Sequence, residues 1–321
     1  MKAARWVGVG HVVCEDAPVP AIADGEVLVR TAYASICGSD LHSVFLEAPP
    51  QGVPAGHPGH ESVGEVVESR CPGFEPGEFV LTVPHAAVGC CLAEFQALPG
   101  TACIPLPATA QLSYLLMAQQ LGTVVYALRR HPLDLVGTDA AVIGQGSAGA
   151  FFTFLLKRAG AARVLASDKS PARLAYSRQL GADLTVDVGA ADFRSAVLAA
   201  TGGRGAGLVV EAVGSRQTFP LSLELAATGA TVIWFGLPEG ASDYPFSFNG
   251  FFRRKLTAYS TWGAQGEPGL ESFRYAVRMI ADGAIDVSPL LSHMLPIEDV
   301  GEAFRIAHDR TGGALKVSIK F

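Results

Sequence analysis

The spacing of apolar residues divides the chain into three stretches. Up to about residue 107, short Val-rich or alternating runs at 26–30, 61–68, 78–83 and 91–97 are broken by Gly and Pro. This texture predicts antiparallel sheet or barrel with tight turns. From about residue 111 the pattern changes, and compact apolar strands at 140–143, 163–167, 184–186, 208–211 and 231–235 alternate with helices at 147–159, 171–180, 192–200 and 216–227. Such alternation predicts βαβ units and a parallel sheet. One more strand is expected at 256–261, then helices at 270–281 and 298–308 and a closing strand at 315–321. In the last of these helices Val300, Phe304 and Ala307, spaced by four and three, share one face.

Composition narrows the class. The chain has 321 residues, of which 49% are hydrophobic and 17% charged, with a formal net charge of −6. That balance excludes disorder, and the length suggests two domains, each with its own core. Without a Lys/Arg run the chain offers no stripe to neutralise phosphates, so nucleic acid is excluded as an expected partner. No apolar stretch approaches the ~20 residues of a membrane span, and no secretory signal is read at the start. A cytoplasmic protein is expected. Its six cysteines do not form a secreted disulfide pattern, so a functional one is sooner a metal ligand or a nucleophile.

Residues 144–149 read Gly144-Gln145-Gly146-Ser147-Ala148-Gly149, a G-x-G-x-x-G loop directly after an apolar strand and at the start of a helix. The next strand ends on Asp168, 24 residues after Gly144, near the offset at which a carboxylate meets ribose hydroxyls. Gly144 permits the tight turn, Gly146 lets backbone approach a pyrophosphate, and Gly149 lets helix and strand pack closely. The helix N-terminus adds free N–H groups and partial positive charge. The other reading is an ordinary strand-to-helix turn built on glycine. Asp168 repels a 2′-phosphate and favours NAD over NADP, a preference softened by nearby Lys169 and Arg173.

Upstream, Cys37-Gly38-Ser39-Asp40-Leu41-His42 is followed by Gly59-His60-Glu61. Thiolate, imidazole and carboxylate are the ligand types zinc takes. Taken alone, each residue reads better as a buried cysteine or a satisfied loop histidine than as a ligand. Together with P-G-E-F-V at 76–80, the glycine loop, T-G-G-R-G-A-x-x-V-V-E-A-V-G at 201–214 and G-G-A-L-K-V at 312–317, these motifs run along nearly the whole chain. The sequence resembles the zinc-dependent branch of the medium-chain dehydrogenase/reductase superfamily, the alcohol and polyol dehydrogenases.

The resemblance implies an α/β fold in which a doubly wound Rossmann sheet is inserted in a GroES-like β-barrel catalytic domain. The segments expected are 1–117 for the barrel's first part, 118–264 for the nucleotide domain with its leading helix, and 265–321 for the return. It implies hydride transfer between NAD(H) and a secondary alcohol or ketone, with one catalytic zinc as Lewis acid. Cys37 and His60 fall on ligand positions, with Glu61 as the adjacent acid. Ser39 and His42 match the proton relay. Asp40 reads either as the residue orienting His60 or as a turn-former, and Val213 falls in the cofactor site. Pairing of nucleotide domains through the strand at 256–261 implies a homodimer or homotetramer.

Two departures matter. The third ligand position falls on Gln119, whose neutral amide is a poorer zinc ligand than thiolate or carboxylate. Either Gln119 coordinates weakly with Glu61 completing the set, or the metal is loosely held or lost. The four-cysteine lobe for a structural zinc is also missing, so no structural zinc is expected, and Cys71, Cys90, Cys91 and Cys103 read as packing or surface residues. His85 reads as a pocket or a solvated loop residue, and His57 ranks below His60. Two further readings follow: a zinc-independent reductase of activated C=C or C=N bonds, and a catalytically silent NAD-binding protein.

Overall fold

The computed structural model describes residues 1–108, 111–240 and 243–321. The first segment runs β1 (Lys2–Gly8), β2 (His11–Asp16), β3 (Glu26–Ser35), α1 (Gly38–Leu46), β4 (Ser62–Ser69), β5 (Phe79–Thr82), β6 (Phe95–Pro99), β7 (Cys103–Pro105), α2 (Leu112–Leu115) and α3 (Ala118–Arg129). The middle runs β8 (Asp139–Ile143), α4 (Ser147–Arg158), β9 (Arg163–Asp168), α5 (Pro171–Gln179), β10 (Leu184–Asp187), α6 (Phe193–Ala200), β11 (Ala206–Glu211), α7 (Thr218–Leu225), β12 (Ala226–Trp234), α8 (Phe248–Arg253) and β13 (Thr257–Ser260). The chain closes with α9 (Glu271–Ala281), β14 (Leu291–Pro296), α10 (Val300–Asp309) and β15 (Lys316–Lys320). Two compact units result: Met1–Val125 with Gly263–Phe321, and Tyr126–Trp262, so that α3 lies across the division.

In the first unit a seven-stranded sheet has the order β14-β15-β3-β4-β5-β7, with β6 also on β3. The ten-residue β3 organises it. One end pairs antiparallel with β6, while the other meets both β4, through Ala34 opposite Ser62, and β15, through Ser35 opposite Ser318. That register gathers three distant sequence segments at one end of β3: the turn into α1, the lead into β4 and the start of β15. The core below includes Trp6, Val44, Leu92, Val300, Phe304 and Ile319. Phe304 and Val300 are the residues whose spacing marked α10 in the sequence; Ala307, the third, packs at the rim of the same cluster.

The second unit is a six-stranded parallel sheet ordered β10-β9-β8-β11-β12-β13. The order reverses direction between β8 and β11, the switch point at which doubly wound sheets open a crevice beyond their strand ends. Its central strands β8 and β11 are apolar and buried almost throughout, as parallel strands covered by helices must be, while the edge strands β10 and β13 are more polar. Local chemistry sets the helix starts. Ser170 caps α5, where Pro171 needs no N–H partner, and the Asp192 carboxylate accepts from Ser195 N at 2.8 Å to cap α6. α7 is shorter than its apolar run suggests, because Ala226 leaves the helix to pair with Ala206 in the sheet. Among the described residues no helix is long and apolar enough to cross a membrane.

Candidate active site

In the first unit the ligand atoms of Cys37, His60 and Glu61 all lie within 4.8 Å of one another, the one such His/Cys/Asp/Glu grouping among the described residues. Tetrahedral bonds of about 2.0–2.3 Å to zinc put ligand atoms roughly 3.3–3.8 Å apart, so the three would draw in by up to about 1 Å around an ion. Cys37 precedes α1, and its backbone N–H donates to Asp40 Oδ2 at 2.8 Å. The other Asp40 oxygen lies 3.2 Å from His60 Nδ1. One buried carboxylate thus caps the helix and orients the imidazole, combining the two roles that the sequence leaves open. With Nδ1 facing Asp40, the Nε2 lone pair is the one available to a metal. Burial works to lower the His60 pKa, but the charge and hydrogen bond of Asp40, helped by Cys37, outweigh it and hold it well above the usual histidine range.

Glu61 is 1% exposed. Its Oε2 accepts from Ser35 Oγ and lies 2.5 Å from the Lys316 ammonium, while Oε1 has no partner. A carboxylate with one oxygen fastened and the other free suits a metal ligand. Lys316 has no role in the sequence reading; it is one of two lysines in the closing strand, and unlike the exposed Lys320 it is buried. Burial works to lower its pKa, but the Glu61 carboxylate raises it above the ordinary lysine value. Gln119, on α3, is buried and its Nε2 has no hydrogen-bond partner. Ser39 and His42 follow on α1, three residues apart and therefore on one face. His42 Nε2 lies 3.9 Å from the exposed Glu47.

The other histidines and cysteines weighed in the sequence have other surroundings. His57 Nδ1 is 3.0 Å from the Gly89 carbonyl, and exposed His85 accepts from Ala87 N. Cys91 and Cys103 are buried, and burial pushes each thiol up to about 12. Cys71 and Cys90 are half-buried.

In the second unit the glycine loop joins β8 to α4. Gly144 has φ +86°, and a Cβ there would come within 2.5 Å of Val213 Cγ2. Val213 therefore stands beside the loop, held by Glu211, whose Oε1 accepts from the N–H groups of Val213 and Gly214 at 2.9 Å each. Burial raises the Glu211 pKa. A Cβ on Gly149 would lie 1.8 Å from the Gly144 carbonyl oxygen, whereas one on Gly146 would meet nothing within 4 Å. Gly149 is thus required by the protein's own packing. Gly146 is not, and its bare backbone leaves room in front of the α4 N-terminus, where Ser147 and Ala148 begin the helix, as a phosphate cradle requires. Asp168 accepts from Gln145 N at 2.7 Å and Ser170 N at 2.8 Å, with Arg173 Nη1 at 3.8 Å. Lys169 is exposed and Arg173 is buried.

Comparison with known proteins matches both units. Residues 23–116 fit the alcohol dehydrogenase GroES-like domain, and residues 148–282 fit the zinc-binding dehydrogenase domain. The chain belongs to the zinc-type medium-chain dehydrogenase/reductase family. It is accordingly an oxidoreductase with a GroES-like domain and a Rossmann-type domain. It is 27% identical over 319 residues to an L-threonine 3-dehydrogenase of Bacillus velezensis, covering 90% of both chains. It is 26% identical over 366 residues to an alcohol dehydrogenase of Cupriavidus necator, covering 100% of this chain and 98% of the other. The solved structure of the alcohol dehydrogenase TADH from Thermus sp. ATN1 superposes with a TM-score of 0.85 at 25% identity, covering 100% and 99% of the two chains.

Proposed function

We propose that this dehydrogenase transfers hydride between NAD(H) and a secondary alcohol or its ketone, at a zinc site held by Cys37, His60 and Glu61 with Gln119 as a neutral fourth donor. The observation that carries the reading is the grouping of three ligand atoms within 4.8 Å, with His60 oriented by Asp40 and Glu61 left one free oxygen. Zinc, when bound, supplies Lewis acidity toward the substrate oxygen, and the nicotinamide donates or accepts the hydride. Asp40 keeps the His60 proton on Nδ1, and Lys316 offsets one of the site's negative charges. Ser39 Oγ takes the alcohol proton and His42 Nε2 releases it toward solvent, a contribution of roughly a hundredfold or more. The free N–H groups at the start of α4 bind the cofactor pyrophosphate. Asp168 accepts from a ribose hydroxyl and disfavours a 2′-phosphate, with Arg173 and Lys169 limiting that preference.

The test is zinc content of protein purified without chelator, together with NADH formation over a panel of secondary alcohols. Stoichiometric zinc with turnover supports the proposal. Metal-free protein that forms no NADH from the alcohols but consumes NADH with activated alkenes or imines supports instead the reduction of C=C or C=N bonds, which the neutral Gln119 favours. We further propose assembly through β13, which pairs only with β12 among the described residues and is flanked by exposed Phe248, Phe252 and Trp262. Six unbridged cysteines suit a reducing compartment such as the cytoplasm.

A further inference from the structure

The side chain of Gln145 does not face the open space in front of the glycine loop. It is 1% exposed and turned beneath the loop. Its Nε2 donates to the Gly144 carbonyl at 3.0 Å and approaches that of Val142 at 3.5 Å. Its Oε1 accepts from Thr153 Oγ1 at 2.9 Å and from Ser177 Oγ at 2.7 Å, Ser177 sharing its single proton with the Arg173 carbonyl. One amide therefore ties together β8, the loop, α4 and α5, with both its donor side and its acceptor side engaged.

The peptide plane between Gly144 and Gln145 is consequently fastened at both edges. Its carbonyl is held by the Gln145 side chain, and its N–H donates to Asp168 Oδ2 at 2.7 Å. This is the linkage that follows the positive φ of Gly144, where glycine leaves rotation cheap.

We propose that Gln145 is a positioning residue for the dinucleotide: with Asp168 it clamps the Gly144–Gln145 peptide, so that the N–H groups that follow at the start of α4 are set for the pyrophosphate before it arrives. The inference rests on reading this loop as the dinucleotide site, and it adds a requirement for an amide at a position that faces no ligand. Leucine would fill the same space and leave the Thr153 hydroxyl and the Gly144 carbonyl without the Gln145 amide, while the Ser177 hydroxyl would keep only the Arg173 carbonyl. Glutamate would set carboxylate oxygens against the carbonyls of Gly144 and Val142. Preorganisation of this kind adds to affinity by removing the cost of ordering the loop on binding.

The experiment measures dissociation constants of NADH, ADP-ribose and adenosine for the full-length protein and its Gln145→Leu, Gln145→Glu, Thr153→Val and Thr153→Ser variants. Adenosine lacks the pyrophosphate and reports the rest of the nucleotide site. Both Gln145 variants are expected to bind NADH and ADP-ribose roughly tenfold more weakly or worse, and adenosine within about twofold of the parent. Thr153→Val is expected to follow in the same direction, and Thr153→Ser to restore the parent ratio. The ratio of ADP-ribose to adenosine affinity is the deciding readout, because general destabilisation moves both together. If Gln145→Leu does not fold, the Thr153 pair carries the same comparison. An unchanged ratio in folded variants overturns the proposal while leaving the dinucleotide reading intact. A parent protein that binds neither NADH nor ADP-ribose overturns both.

Discussion

Asp40 uses its two oxygens for different purposes, one on the Cys37 backbone and one on His60. Replacement by asparagine is therefore expected to weaken zinc binding by about 10–100-fold, read by competition with a chromogenic chelator, while leaving α1 folded. Lys316 lies 3% exposed against Glu61. Its replacement by methionine strands a buried carboxylate and is expected to cost about 3–5 kcal/mol in urea unfolding of the metal-free protein. Adding Glu61→Gln to that variant should recover most of the loss; failure to recover would mean that the ion pair is not what Lys316 contributes. His60 gives the pH dependence. Because its folded-state pKa is raised, its stabilisation is complete below the unfolded value of about 6.5 and is lost as pH rises through the folded value. The metal-free protein should accordingly lose melting temperature as pH rises from about 6.5. Zinc affinity should increase over the same range, since the proton on the ligand must leave. A flat melting profile for the metal-free protein would contradict this assignment. Ligand types were legible here from residue identity, and the family resemblance already offered Asp40 as the residue orienting His60, but the partners Ser35 and Lys316 became visible only through contact.

At the scale of the element, the strand-loop-helix at 139–158 separates glycine needed by the protein from glycine needed by a ligand. A Gly149→Ala change drives a methyl group into the Gly144 carbonyl and is expected to lower the melting temperature and abolish cofactor binding together. Gly146→Ala meets open space at φ −61°, so its stability loss should stay within about 1 kcal/mol, the scale of an N-cap change. Its NADH affinity should nevertheless fall roughly tenfold, the amount one lost charge-assisted contact carries. Equal NADH affinity in parent and variant would remove the phosphate-cradle role of this turn. Alternation of compact apolar strands with capped helices made the middle of the chain readable almost element by element. The first helix was not: α1 buries only Asp40 and Val44, too narrow an apolar face to announce itself. The opening β1–β2 hairpin and the parallel pairing of β14 with β15 likewise depend on partners distant in sequence.

For the molecule as a whole, the side of β13 that has no partner strand among the described residues and the neighbouring Phe248 and Phe252, stacked 6.0 Å apart and 66% and 70% exposed, predict self-association. Sedimentation should show a dimer or larger assembly, and Phe252→Asp should shift it toward monomer; a monomeric parent protein would end that proposal. The sequence by itself determined the parallel sheet, the glycine loop with its carboxylate and the residue types of a metal site, because periodicity and short motifs are local properties of the chain. Tertiary structure decided which of those residues meet. Glu61 and Lys316 come together only because β3 pairs with β4 on one side and β15 on the other. The orientation of the Gln145 amide and the charge balance around Cys37, His60 and Glu61 follow from the same kind of packing. Hydrogen bonds and ion pairs act over a few ångströms of space, and a linear order of residues does not record which distant segments the sheets bring that close.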